Sequence, residues 1–158
     1  MTAFLLSLHV LAAILAVGPV AVAASMFPRL ARHALAAPGD VQAAAPVRLL
    51  HRITRAYAVV GVAVPVLGYA TGAALGVLGD AWLVVSMALT AAAAAVLVAA
   101  VLPGQRTVVA ALDAPALAPA ATATARRLAM LTGVFNLLWA VVVVLMIYRP
   151  GSTTGAGL

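Results

Sequence analysis

The sequence predicts an all-α protein, a four-transmembrane-helix up-down bundle, and three observations carry that reading. Four stretches, about 4–26, 57–78, 81–102 and 128–148, contain no Arg, Lys, Asp or Glu. Each is about 20 residues or slightly longer, enough at 1.5 Å per residue for a helix to cross a hydrocarbon core of roughly 30 Å. Hydrophobic residues make up 66% of the chain and charged residues 8%, where soluble domains run at about 45–50% and 25%; the mean hydropathy is +1.21. Finally, eight of the nine arginines fall in the two segments 27–56 and 103–127, and Arg149 alone lies elsewhere. At 158 residues the chain has room for one integral membrane domain, 1–158, and no separate soluble one.

The arginine placement also predicts orientation. By the positive-inside rule, 27–56 and 103–127 are cytoplasmic loops and both termini lie outside. Arginine in place of lysine, with abundant alanine, is the mark of a GC-rich bacterial genome, so the expected location is the bacterial plasma membrane. The net charge of +6 is accounted for by orientation and anionic headgroups; the partner is the lipid bilayer, not nucleic acid. The chain has no cysteine, which excludes disulfides, thiolate metal sites, cysteine nucleophiles and palmitoylation.

Span one contains Gly18-Pro19, and proline within a membrane helix is tolerated because neighbouring helices satisfy the freed backbone. Ala21-Val22-Ala23 resembles a signal-peptide cleavage site. The segment lacks a basic start, however, and its apolar run exceeds the usual 7–15 residues of a signal peptide, so an uncleaved span is expected. Phe27-Pro28-Arg29 marks its cytoplasmic exit. After the Pro38-Gly39-Asp40 turn, Arg48, Arg52 and Arg55 follow i, i+4, i+7 spacing and share one helical face, with Val47, Leu50 and Ile53 on another. That pattern predicts an amphipathic segment at the headgroups, its arginines making headgroup or anion contacts.

In span two, Gly68, Gly72 and Gly76 form a small-xxx-small ladder that lets another backbone approach. Ala91–Ala95 of span three, reached through the tight Gly79-Asp80 turn, is the expected partner in an antiparallel hairpin; a homodimer face is the competing use. Residues 103–127 are rich in Ala, Pro and Thr and read as a partly helical surface loop. The polar tail, 150–158, is expected to be disordered.

Within the spans, polar residues are where function is sought. His9 is the one imidazole in a span, and Tyr69 and Ser86 fall at a comparable depth by helical rise. Asn136, Thr132 and Thr90 lie nearer the midplane. His9, Tyr69, Ser86 and Asn136 are therefore the candidate ligand-binding set, a polar pocket in the outer half. They serve either as hydrogen-bond contacts between helices or, at His9, as a metal or haem ligand or proton relay. His33 and His51 belong to the cytoplasmic side and cannot share an iron with His9 in one subunit; Met87 is the alternative second ligand. Asp40, Asp80 and Asp113 sit in loops, too scattered for a carboxylate pair or a hydrolase triad, so catalysis is not expected.

Leu8-His9-Val10 and Phe27-Pro28-Arg29-Leu30-Ala31-Arg32-His33-Ala34 resemble the CopD-like superfamily of small bacterial membrane proteins. Within it the chain is most similar to an uncharacterised "predicted integral membrane protein" family, a four-helix domain of unknown function. The related membrane protoporphyrinogen oxidase family has a span-one histidine, matched by His9, and an Arg-Leu with His-Ala, matched by Arg29-Leu30 and His33-Ala34. The resemblance implies haem binding through that histidine. The oxidases also have a functional lysine after a Trp-Leu pair; here Trp82-Leu83 is followed by Ser86 at that place, and the chain has no lysine.

The expected function is thus non-enzymatic: an accessory or partner protein, or a small-molecule-binding bundle with its pocket around His9, and no cofactor predicted. The alternative is a haem b- or porphyrin-binding redox protein with His9 as axial ligand, and the second alternative an oligomeric transporter or channel. A homodimer or another membrane protein is the expected protein partner.

Overall fold

Each charge-free stretch is largely helical, and each rod it belongs to runs on into charged sequence. In the computed structural model, which describes residues 2–152, α1 covers Thr2–Ala36, α2 Val41–Val60, α3 Ala63–Leu75, α4 Ala81–Val96, α5 Leu102–Ala111 and α6 Ala118–Tyr148. A π-helical turn, Leu97–Val101, joins α4 to α5, and a 3-10 turn, Pro115–Leu117, precedes α6. The result is four rods, Thr2–Ala36, Val41–Leu75, Ala81–Ala111 and Pro115–Tyr148, each long and apolar enough to cross a membrane. There is no strand among the described residues. The expected disordered tail falls outside the described residues from 153 onward.

The segments read as loops are largely helical, because their charges occupy one face only. In α1, Arg29, Arg32 and His33 are exposed while Phe27, Ala31, Ala34 and Leu35 are buried. Charge ends the apolar run at Met26, but the 3.6-residue period continues for ten residues more. The amphipathic segment of α2 likewise turns its apolar face to the other helices. Val47 and Leu50 are buried in the core, with Ile53 packed against it, and α2 packs along α1 and against α5.

α1 is the central helix. It contacts α2, α3 and α6; α6 in turn contacts α4 and α5, and α2 meets α5 to close the ring at the arginine-rich end. Close packing follows from a stripe of small residues on α1, with Ala16, Val20, Ala23, Ala24, Ala31 and Ala34 all buried. The largest core cluster spreads from Val20 through Phe27 and Leu35 to Val108, Ala121 and Leu128, and so sits towards the arginine-rich end. A smaller cluster of Val77, Trp82 and Leu83 seals the α3–α4 turn at the other.

α3 and α4 scarcely touch, which overturns the expected glycine ladder against Ala91–Ala95. The three glycines have three separate jobs. A Cβ on Gly68 would sit 2.9 Å from His9 Cε1 of α1, and one on Gly72 would sit 2.8 Å from Leu83 Cδ2. Gly76 caps α3 in the left-handed conformation, φ +71°, where a Cβ is strained.

The prolines leave carbonyls that other groups take up. Pro28 has no N–H for Ala24 O, and Thr132 Oγ of α6 lies 3.5 Å from that oxygen. Pro65 cannot serve Gly61 O, and Val64 N–H does so instead at 3.1 Å; this tightened turn is where α2 passes into α3. Pro103 comes two residues after the end of the π-helical turn, whose widened ladder bonds Leu102 N–H to Leu97 O.

Candidate functional site

Joined by a short turn yet splayed along their length, α3 and α4 leave a space that α1 and α6 do not fill. It is a cavity of about 750 Å³ at the arginine-poor end, lined by all four rods, within the roughly 300–1,000 Å³ of small-molecule sites. Its lining is nearly all aliphatic and aromatic, including Val10, Ile14, Leu83, Trp139 and Val142. The polar side chains reaching it are His9, Tyr69, Thr90 and Arg149. The Thr90 hydroxyl is already donated to Ser86 O at 2.8 Å.

His9 is positioned by α3. Gly68 leaves room for the ring, and one turn earlier Val64 O lies 3.0 Å from His9 Nδ1. A carbonyl only accepts, so Nδ1 carries the hydrogen, and in the neutral ring Nε2 holds a lone pair. Nε2 bonds to no described residue. A histidine held by an Nδ1–H···O=C bond with a bare Nε2 is the arrangement of a ligand-binding imidazole. Met87 and Met146 also line the cavity, and their thioethers are the other soft donors there. Among the described residues no group of three or more His, Asp or Glu could hold a metal ion.

The expected four-residue polar pocket does not assemble. His9 and Tyr69 line the cavity; Ser86 and Asn136 do not. Ser86 is fully buried, but its hydroxyl bonds back to Trp82 O of its own helix at 2.7 Å, the usual self-satisfaction of serine in a helix. Asn136 faces α1, where its Nδ2 donates to Ser25 Oγ at 3.0 Å and its buried Oδ1 has no partner. Depth along a helix was readable from the sequence, rotation about it was not. The pocket is therefore apolar with one imidazole, not polar.

At the arginine-rich end, Arg48 is withdrawn from the headgroup stripe. Its Nη1 and Nη2 donate to Asp113 at 3.2 and 2.7 Å, and the guanidinium holds the Asp113 carboxyl below its ordinary pKa. Arg52 and Arg55 remain exposed. His51 is no loose headgroup residue: its Nδ1 donates to Gln105 Oε1 at 3.1 Å, and Gln105 Nε2 reaches Thr54 Oγ at 3.4 Å. Thr54 donates onward to Leu50 O at 2.9 Å. This chain ties α2 to α5.

Sequence reasoning passed over Gln105 and Arg149. Gln105 was hidden by the loop reading of 103–127. Arg149 had a signal, since it is the one arginine outside the basic segments.

Comparison of the chain with protein-family models, with curated proteins and with solved structures finds no match.

Proposed function

We propose that this membrane bundle binds an apolar small molecule in the cavity between α3 and α4, with His9 Nε2 as the polar atom that orients it. The observation that carries the reading is the His9 ring: one nitrogen committed to Val64 O, the other without a partner, at a cavity wall that is otherwise almost wholly apolar. Specificity in such sites comes from a few placed polar groups, and burial of apolar ligand surface supplies the affinity. α3 and α4 scarcely touch, so the ligand enters sideways from the bilayer. We place the arginine-rich end in the cytoplasm and the cavity in the outer half of a bacterial plasma membrane, on the positive-inside rule.

The test is to purify the protein in mild detergent and identify co-purifying small molecules by native mass spectrometry, for the wild type, His9→Ala and Ala91→Phe. Ala91 lines the cavity, and a phenylalanine there fills it. Retention by the wild type, with loss in Ala91→Phe and weakening in His9→Ala, is expected. Equal retention by all three refutes the site.

A second reading has its own observation. His9 Nε2 and Met87 Sδ both belong to the cavity lining, and imidazole with thioether is a donor set that haem iron accepts. The resemblance to the CopD-like superfamily points the same way. Bound there, haem would supply one-electron redox chemistry and would be held by His9, whose ring is fixed by Val64 O. A Soret band lost in His9→Ala supports this reading, and a colourless preparation from haem-replete cells refutes it.

A further inference from the structure

Arg149 is the single arginine at the cavity end of the bundle, and it is held in place by three features. Its backbone is left-handed, φ +44° and ψ +54°, at the end of α6, a strained setting for a residue other than glycine. Its Nε donates to Met146 O at 3.2 Å. Its guanidinium lies 5.5 Å over the centre of the Trp82 ring. Trp82 is itself buried and anchored through Nε1 to Asp80 Oδ2 at 3.1 Å. These features fold the side chain back over the bundle, where it lines the cavity.

Among the described residues Arg149 forms no ion pair. Asp80 Oδ2 accepts the indole N–H of Trp82, the ring beneath the guanidinium. A cation fixed at one end of an apolar slot is complementary to an anion on an apolar body. The slot is long: from Leu83 to Ala94 on α4, both lining it, helical rise gives about 16 Å.

We propose that the cavity takes a single-tailed anionic amphiphile from the bilayer. Its carboxylate or phosphate head sits on Arg149, and its hydrocarbon tail runs past His9 towards Ala94 and Trp139. This rests on the cavity-binding reading and names its ligand class. His9, part-way down the slot, meets any polar substituent on the tail.

The experiment keeps Trp82, so that its indole stays bound to Asp80, and reads Trp139 as the difference in quenching between the protein and its Trp139→Phe variant. The protein is placed in phosphatidylcholine nanodiscs and titrated with stearic acid brominated in mid-tail, the matching alcohol, and the matching phosphate monoester. Saturable quenching by the acid or the phosphate is expected, with the alcohol at least about tenfold weaker. Whichever anion binds more tightly identifies the head. Arg149→Gln should bring the anions down to the alcohol and leave the alcohol unchanged, while Arg149→Lys keeps most of the preference. If acid, phosphate and alcohol quench alike and Arg149→Gln moves none of them, the anion inference is wrong. The cavity reading then still stands, provided Ala91→Phe or Ala94→Phe abolishes the quenching. If no probe quenches saturably, or neither phenylalanine variant matters, both readings fall.

Discussion

Gly68→Ala is the sharpest test of how His9 is held, because the structure states what the new methyl meets. Its Cβ would lie 2.9 Å from His9 Cε1 and 3.3 Å from Nδ1, and the Nδ1–H bond to Val64 O, 3.0 Å long, depends on the ring staying there. Displacing packed atoms costs about 1–3 kcal/mol, and loss of a membrane hydrogen bond adds about 0.6 kcal/mol. Alanine regains about 1 kcal/mol of helix propensity. The net expectation is destabilisation by about 0.6–2.6 kcal/mol. In a His9→Ala background the ring is gone, so only the propensity remains and Gly68→Ala should stabilise by up to about 1 kcal/mol. The sign therefore reverses between backgrounds. Equilibrium unfolding of the four proteins in mixed micelles, followed by tryptophan fluorescence, measures the cycle. Equal destabilisation with and without His9 would refute the ring contact as the cause.

Three further outcomes are expected. Asp113 is held below its ordinary pKa of 3.8 by Arg48, so the pair's small contribution is present above that value and disappears as pH falls through the lower folded value; wild-type and Asp113→Asn unfolding midpoints should converge there, and also at high salt. Gln105→Ala opens a hole at a fully buried side chain and strips His51 of its acceptor, so it should cost about 2–4 kcal/mol by thermal unfolding, with Gln105→Leu costing less because it refills the volume. The chain has no cysteine, so Gly79→Cys should react with an impermeant maleimide from outside intact cells and Arg106→Cys only after permeabilisation; the reverse pattern inverts the topology.

Much of the fold was legible because lipid imposes a coarse rule: twenty apolar residues without charge make a span. The same rule misread the helix ends. Arg29 looked like a boundary, yet it and Arg32 lie on the exposed side of a helix whose other side is Phe27 and Ala31. A periodicity count carried across the charges finds these extensions. At the site, His9 was legible as the imidazole in a span, and Tyr69 shares its cavity. Ser86 and Asn136 were not separable from them by depth. Nothing in an alanine- and valine-rich helix marks which side faces the bundle when every side is apolar, so rotation had to come from packing. The glycine ladder failed for the same reason: i, i+4 spacing predicts a close approach, not the neighbour that makes it, and for Gly68 that neighbour is His9.

The two ends of the bundle differ because their solvents differ. Beyond the apolar stretches the helices stand in water or headgroups, where burying Phe27, Leu35, Val47 and Val108 is driven by the hydrophobic effect. That end accordingly has a core of its own beyond the spans and is fastened further by the His51–Gln105–Thr54 chain and the Arg48–Asp113 pair. Within lipid no such drive exists, since tails are as apolar as the side chains. Separating α3 from α4 there forfeits only contacts that an acyl chain or ligand can replace. A bundle clamped at one end can therefore stay open at the other at little cost in stability. It follows that ligand occupancy should tighten the α3–α4 end and leave the arginine-rich end unchanged. Hydrogen exchange should then report added protection at α3 and the first turns of α4, and none in α5.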